Sequence, residues 1–238
     1  MISIVCPFYN ERENLEELCS RLAEAVRRLP APCELVFVDD GSTDGGGEFL
    51  NGLLAKEKVS GSVVTLPQNS GLTAALYAGL MRAKGEILVT LDADLQNPPE
   101  EIPRLVELLE GYDVVAGVRA NRRDSFVKRA SSKIANAVRR AVLGDSIQDI
   151  ACSLRAFRRS VLPCFYPQSG MHRFFLAVAA AEGFRITQVP VAHAPRLRGK
   201  AKYGLFNRLL GPLRDLITVR RLLRRKVRCC AKETHHAA

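Results

Sequence analysis

Glu86-Ile87-Leu88-Val89-Thr90-Leu91-Asp92-Ala93-Asp94-Leu95-Gln96 runs from an apolar segment directly into two carboxylates one residue apart. A short apolar run of this kind reads as a buried strand that ends where its polar residues begin. Alternate residues along a strand point the same way, so Asp92, Asp94 and Gln96 share one side. Two neighbouring anions are costly in a partly buried site unless a cation neutralises them. Hard oxygen donors in a pair suit Mg²⁺ or Mn²⁺ shared with a substrate phosphate, and Gln96 adds a neutral oxygen. In isolation, Asp-x-Asp is more often an acidic turn, here one capping the helix that begins near Pro98. The surrounding pattern decides between the two readings.

Upstream, strand and helix signals alternate. Strands are expected at Ile2–Pro7, Glu34–Val38, Ser62–Leu66, Glu86–Leu91 and Asp113–Gly117. Helices are expected at Asn10–Leu29 (Leu15, Leu18, Leu22 and Val26 at helical spacing), Asp44–Lys56, Leu72–Ala83 and Pro99–Glu110. Strands separated by helices of this length imply right-handed parallel βαβ units and a doubly wound, mostly parallel α/β sheet. In such sheets ligands bind at the carboxyl ends of the strands. Those ends carry Pro7-Phe8-Tyr9-Asn10-Glu11, Asp39-Asp40-Gly41-Ser42, Gln68-Asn69-Ser70-Gly71, Asp92-Ala93-Asp94 and Arg119. Polar residues therefore converge on one rim, which outweighs the turn reading of the carboxylate pair. Downstream the pattern loosens: helix over Ser125–Leu143, strand over Ala151–Arg158, helix over Met171–Glu182, strand over Arg185–Pro190 and a basic loop over His193–Gly204. A last helix spans Leu205 to Val227, with Pro212 kinking it or starting a second one. This divides the chain into a catalytic unit over 1–204, an amphipathic basic helical segment over 205–228 and a flexible tail over 229–238.

A length of 238 residues accommodates one α/β domain with an extension. The net charge of +10 calls for an anionic partner. That charge is clustered: residues 196–238 hold 13 Lys/Arg against Asp215 and Glu233, and residues 119–140 hold eight against Asp124. Seven cysteines include no C-x-x-C, so neither a zinc site nor a disulfide framework is legible, and Cys6 and Cys33 read as small core residues. Four histidines (172, 193, 235, 236) show no metal spacing. The first residues enter a strand directly, without a signal-peptide pattern. No apolar run approaches the roughly 18–20 residues of a membrane span. A cytoplasmic protein is expected.

Several chemistries are excluded by absence of their motifs. There is no G-x-x-x-x-G-K-[ST], no G-x-G-x-x-G after the first strand and no G-x-S-x-G elbow. A metal-bound diphosphate suits the carboxylate pair, and a second anionic substrate suits the basic clusters. Asp39 suits a nucleoside, accepting from a base N–H or a ribose hydroxyl. Turn and helix-cap chemistry is the alternative for Asp39-Asp40-Gly41-Ser42.

Three stretches together resemble the family 2 glycosyltransferases: Ile4-Val5-Cys6-Pro7-Phe8-Tyr9-Asn10-Glu11, Val38-Asp39-Asp40-Gly41-Ser42-Thr43-Asp44 and Asp92-Ala93-Asp94-Leu95-Gln96-Asn97-Pro98-Pro99. Asp149-x-x-Cys-x-x-Arg-x-Phe and His193-x-Pro-Arg-x-x-Gly-x-x-Lys-Tyr203 narrow the likeness to the polyprenyl-phosphate sugar transferases, of the dolichol-phosphate mannose synthase type. The likeness covers roughly residues 1–220 and implies a GT-A fold. It implies that Pro7, Tyr9, Glu11, Asp39, Asp92 and Ala93 hold the nucleotide-sugar, with Arg196 and Lys202 closing over its diphosphate. Asp94 and Gln96 would ligate Mg²⁺ or Mn²⁺. Arg119, Arg129 and Ser132 match positions that bind the lipid phosphate. Asp92 and Asp149 are the candidate catalytic carboxylates, Asp149 matching a proposed base. Two positions depart from the pattern: Ala201 stands where many relatives have Ser, and Ser153 where Gly is common.

The implied reaction is inverting, metal-dependent transfer of a sugar from a UDP- or GDP-linked donor to undecaprenyl or dolichyl phosphate. A phosphate monoester is mostly dianionic at pH 7 (second pKa near 6), so a general base is not required and Asp149 can instead orient groups. A lipid acceptor requires a membrane. Family members often carry transmembrane helices after the catalytic domain, and this chain shows none. The 205–228 stretch would lie at an anionic membrane surface, pack on the catalytic unit, or do both over different turns; a separate membrane partner protein would serve equally. The expected location is peripheral, at the cytoplasmic face, and homo-oligomerisation stays open. The alternatives are a family 2 enzyme with a soluble glycan or protein acceptor, a nucleotidyltransferase, and a non-enzymatic nucleic-acid binder. Nucleic acid is not the expected partner, because an acidic rim without metal repels phosphates.

Overall fold

The structure is a computed structural model that describes residues 1–119, 137–168, 170–195 and 210–224. Seven strands among these form one sheet: β1 (Ile2–Phe8), β2 (Cys33–Asp39), β3 (Gly61–Thr65), β4 (Ile87–Thr90), β5 (Val114–Arg119), β6 (Arg155–Arg158) and β7 (Ile186–Val191). Their spatial order is β3-β2-β1-β4-β6-β5-β7. All neighbouring pairs are parallel except those made by β6, which runs antiparallel between β4 and β5. The expected doubly wound, mostly parallel sheet is what forms. The inverted β6 has a consequence for the site: its first residue, Arg155, lies on the same rim as the last residues of β4 and β5.

β1 is central and every residue of it is buried, which is why Ile-Ser-Ile-Val-Cys-Pro-Phe reads as a continuous apolar run rather than an alternation. Its one hydroxyl, Ser3, is fully buried and satisfied twice: Oγ donates to Glu34 Oε1 at 2.6 Å and accepts from Gly85 N–H at 2.7 Å. Cys6 is buried in the core and Cys33 packs half-buried against it.

Helices cover both faces. On one lie α1 (Arg12–Arg27), α2 (Gly46–Glu57) and α4 (Ile102–Glu107). Leu15, Leu18 and Leu22 of α1 are completely buried at the spacing the sequence shows. Truncating any one of them to Ala costs roughly 2–5 kcal/mol. Asp44 ties the starts of α1 and α2 together, Oδ2 accepting from Arg12 N–H (3.0 Å) and Oδ1 from Gly46 N–H (2.9 Å). On the other face lie α3 (Leu72–Arg82), α6 (Phe175–Ala181) and α7 (Leu210–Arg224), with residues 137–143 also helical (α5). α7 packs through Leu216 and Val219, while Ile217, Arg220 and Arg221 are exposed.

Several expected elements differ in extent, and the helix expected over Met171–Glu182 is a 3-10 turn (Met171–Arg173) followed by α6. Pro99–Glu110 is a single α-helical stretch flanked by 3-10 turns, because Pro103 lacks an amide and Gly111 ends the run. The strand expected over Ala151–Arg158 starts only at Arg155, because the preceding carbonyls turn inward to that residue's guanidinium. α7 opens at Leu210, which places Pro212 in its first turn, where its missing amide has no intrahelical partner to lose. Most of the helix expected from Ser125 and the loop up to Gly204 lie outside the described residues.

Candidate active site

Five strand ends meet on one rim, and the two ends of that rim are built differently. On the β1–β2 side every carboxylate is already engaged by the chain. Asp39, 5% exposed, accepts from Ser42 N–H through Oδ1 at 2.7 Å. Asp40, 4% exposed, accepts from Ser70 N–H (2.8 Å) and Gly71 N–H (2.9 Å), pinning the β3–α3 loop to the β2 end. That loop passes so close to Gly41 (φ +73°) that a Cβ there would sit 2.5 Å from the Gln68 carbonyl carbon. Gly41 is thus required both by its backbone conformation and by the close approach. Glu11 accepts from Asn14 Nδ2 at 2.7 Å, and Asn10 joins the two turns by donating to Ser42 Oγ and accepting from Thr43 N–H. The turn-and-cap reading of Asp39-Asp40-Gly41-Ser42 therefore describes what these residues do within the fold. The second oxygen of Asp39 lies beside Gly47, where a Cβ would be 2.7 Å away, so only glycine fits there.

On the β4 side the sequence alternation outlasts the strand. Leu91, Ala93, Leu95 and Asn97 are buried, while Asp92, Asp94 and Gln96 are half-exposed and face the rim together. Leu95 holds a left-handed backbone (φ 59°) while 1% exposed. Such a conformation in a leucine stores about 1–3 kcal/mol, and stored strain of this kind concentrates at functional sites. Burial, and then the Asp94 charge, push the Asp92 carboxyl up to about 6. Two facing carboxylates of this kind, with the Gln96 carboxamide beside them, match the donor chemistry of a hard divalent cation. Among the described residues no group of three or more His, Cys, Asp or Glu could hold a metal ion.

Asp92 is steered by residues far away in sequence. Ser153 lies beside it and favours its ionised form, its Oγ accepting from Asn97 Nδ2 at 3.0 Å. The Ser153 carbonyl accepts from Thr90 Oγ1 at 2.7 Å. Arg155 and Arg119 lie close enough for their charges to favour ionised Asp92. Arg155 is 6% exposed and forms no ion pair with a carboxylate among the described residues. Its guanidinium donates to the carbonyls of Ile150 (2.8 Å), Cys152 (2.9 Å) and His172 (2.8 Å). One buried cation therefore gathers the 150–153 loop and the turn at 172 around the carboxylate pair.

Asp149 and Arg119 form a bidentate ion pair: Arg119 Nε donates to Oδ2 at 2.8 Å and Nη2 to Oδ1 at 3.0 Å. Ala151 N–H adds a bond to Oδ1 at 3.0 Å. Burial opposes the ionised carboxyl, but the guanidinium and these amides overcome it and hold Asp149 below the ordinary carboxylate range. A carboxylate with both oxygens occupied and low basicity orients its partner better than it abstracts a proton.

Of the expected site residues, Pro7, Tyr9, Glu11, Asp39, Asp92, Ala93, Asp94, Gln96, Arg119 and Asp149 lie on this rim. Arg129, Ser132, Arg196 and Lys202 lie outside the described residues. The segment leading to Arg196 is anchored beside the carboxylate pair, because Ala194 N–H donates to the Gln96 carbonyl at 2.9 Å. Part of the 119–140 cluster is engaged within the fold. Of its described members, Arg119 pairs with Asp149 and buried Arg139 with Asp145, leaving Arg140 exposed. Ser153, Arg155, Thr73 and His172 are site-forming residues to which the sequence reading assigned no role. Arg155 carried a signal, an arginine inside an apolar strand. Thr73 and His172, 99 residues apart, carried none.

A sequence profile described as Glycosyl transferase family 2 matches residues 3–165. An undecaprenyl-phosphate 4-deoxy-4-formamido-L-arabinose transferase of Serratia proteamaculans is 40% identical over 218 residues, covering 91% of this chain and 67% of the relative. One of the same name from Pseudomonas savastanoi pv. phaseolicola is 43% identical over 218 residues, covering 91% and 64%. The chain thus spans about two thirds of the length of such relatives. Among solved structures, glucosyl-3-phosphoglycerate synthase of Mycobacterium tuberculosis, in complex with Mn²⁺, UDP and glucosyl-3-phosphoglycerate, superposes with TM-score 0.65 at 23% identity. That alignment covers 91% of this chain and 77% of the synthase. A mannosyltransferase of Pyrobaculum calidifontis in complex with GDP-mannose and Mn²⁺ gives TM-score 0.62 at 23% identity, covering 84% and 58%. The architecture is of the GT-A type.

Proposed function

The chain belongs to glycosyl transferase family 2, and on that premise we propose that it moves a sugar from a UDP- or GDP-linked donor to a polyprenyl phosphate, with inversion at the anomeric carbon. The observation that carries this reading is the Asp92–Asp94 pair, half-exposed on one rim with the Arg119 and Arg155 charges acting on Asp92. Relatives 40% identical over most of the chain are named for transfer to undecaprenyl phosphate, which supports the acceptor.

The β1–β2 side receives the nucleoside, with Asp39 accepting from it and Pro7, Tyr9 and Glu11 lining it. Asp94 and Gln96 would hold Mg²⁺ or Mn²⁺, which when bound would neutralise charge on a diphosphate. Asp92, aligned by Ser153, and Ala93 border the sugar. A phosphate oxygen of the acceptor forms the new bond to the anomeric carbon. The bond from that carbon to the diphosphate oxygen breaks, and its electron pair leaves with the nucleoside diphosphate. The acceptor is dianionic at neutral pH, so Asp149 has no proton to remove and instead orients Arg119 toward the phosphate. Arg129 and Ser132 complete the acceptor site, and Arg196 and Lys202 close over the diphosphate. No helix among the described residues is long and apolar enough to cross a membrane. The lipid is met at an anionic surface through the exposed Ile217, Arg220 and Arg221 of α7, within the basic 205–228 segment.

The test is release of nucleoside diphosphate from a panel of UDP- and GDP-sugars with Mn²⁺, with and without undecaprenyl or dolichyl phosphate. Release that requires the lipid phosphate is expected, and the active donor identifies the sugar. Release indifferent to lipid phosphate assigns a soluble acceptor instead.

A further inference from the structure

The turn before α6 places a histidine where the fold gives it a defined tautomer. His172 Nδ1 lies 2.7 Å from Thr73 Oγ1, at the start of α3. Gly170 N–H donates to the same Thr73 oxygen at 3.1 Å, and Thr73 is 6% exposed. With its oxygen accepting from that amide, the Thr73 hydroxyl can give its own proton to the facing Nδ1, and in that arrangement the imidazole proton sits on Nε2. The ring remains neutral, because burial and the charges of Arg173 and Arg155 push it down to about 3. The result is an uncharged, half-exposed N–H donor of fixed direction.

Its surroundings identify the side of the site it serves. The His172 carbonyl is held by Arg155, whose other arms hold Ile150 and Cys152, next to the Arg119–Asp149 pair. On its other flank, Arg173 pairs with Asp215 of α7 at 3.7 Å. Gly170 lies so close to α7 that any Cβ there would strike the Asp215 carboxylate. The turn thus bridges the rim to the helix with the exposed basic face, along the route by which a lipid-borne phosphate would reach Arg119.

We propose that His172 is an acceptor-binding residue that donates its Nε2–H to an oxygen of the incoming polyprenyl phosphate, with Thr73 as the positioning residue that fixes its tautomer. A neutral donor adds direction at a phosphate whose charge the arginines already balance, without strengthening the ground-state attraction that would slow product release. This rests on the proposed polyprenyl-phosphate transfer.

The experiment is steady-state kinetics on the full chain with a short-chain polyprenyl phosphate and the donor that supports transfer. His172→Phe keeps the ring volume and removes the donor; His172→Gln keeps an N–H near the Nε2 position. The expected result is an acceptor KM raised about tenfold in His172→Phe, with donor KM within twofold, and most of the loss recovered in His172→Gln. Unchanged acceptor KM, or a donor KM that rises in parallel, overturns the proposal and leaves the transferase reading standing. Absence of lipid-dependent transfer by the wild-type chain overturns both. Should His172→Phe not fold, the ¹⁵N spectrum of histidine-labelled wild type decides: a neutral ring protonated at Nε2 supports the assignment, and protonation at Nδ1 overturns it.

Discussion

The two halves of the rim carry similar numbers of carboxylates and use them in opposite ways. At the β1–β2 ends, Asp39, Asp40 and Glu11 accept hydrogen bonds from amides or a carboxamide within the fold. At the β4–β6 ends, Asp92 and Asp94 face each other, and Asp92 is pushed up toward neutral pH. The first half is a finished structure that can hold a ligand without altering its own charge. In the second, among the described residues, Arg119 donates to Asp149 and Arg155 to three carbonyls, and the neighbouring carboxylates Asp92 and Asp94 match the donor chemistry of a hard cation. Perturbed carboxylates of this kind cluster at functional sites.

The contrast breaks most sharply at Asp94. Asp94→Ala is expected to lower transfer by about 10³-fold or more without lowering the melting temperature, since it removes a metal ligand and relieves repulsion. Kinetics and a thermal melt on the same preparation check both parts.

Asp149→Asn comes next and acts on stability. It leaves Arg119 largely buried without its anion, at a cost of about 3 kcal/mol in urea unfolding at pH 7. The pair also carries a pH signature. Asp149 titrates below its unfolded value of roughly 3.9, so its contribution is complete above that pH and is lost as pH falls through the lower folded value. His172 titrates in the folded chain near 3, against about 6.5 unfolded. The unfolded state therefore takes up the proton first, and stability falls as pH drops from 6.5 toward 3. Unfolding followed from pH 7 to 3 should show a shallower decline in His172→Gln over the upper part of that window, and in Asp149→Asn only below pH 4.

On the β1–β2 side the effects are smaller. Asp40→Ala removes the acceptor for Ser70 and Gly71 and should cost about 1–2 kcal/mol, with nucleotide affinity falling because the β3–α3 loop is released. Smallest is Ser153→Ala. Losing the hydroxyl beside Asp92, which favours its ionised form, raises that carboxyl further, so the acid limb of the pH–rate profile moves upward by about half a unit to one unit.

The same contrast explains what could be read from the sequence. The β1–β2 half also closes across the chain, Asp40 to Ser70 and Asn10 to Ser42, but Asp39-Asp40-Gly41-Ser42 and Asn10-Glu11 carry turn and cap chemistry of their own, which the sequence displays locally. Asp92, Asp94 and Gln96 were legible for another reason: their parity survives past the strand because Leu95 accepts a left-handed backbone. The β4–β6 half closes through contacts across long separations, Ser153 with Asp92, Asp149 with Arg119 and His172 with Thr73, and no periodicity encodes these. The antiparallel β6 was equally hidden, since a strand of four residues reads alike in both directions. Without that reversal, Arg155 would lie at the opposite end of the sheet from the carboxylates it helps to frame.

The most direct measurement of the division between the halves is calorimetric titration of the nucleoside diphosphate released by the active donor, with and without Mn²⁺, into the wild-type chain, Asp94→Ala and Asp39→Ala. The account predicts that Mn²⁺ tightens binding at least tenfold in wild type, that Asp94→Ala retains only the weak metal-free binding, and that Asp39→Ala weakens binding by a similar factor whether or not metal is present. Equal tightening by Mn²⁺ in wild type and Asp94→Ala would contradict it, because the metal would then be held elsewhere.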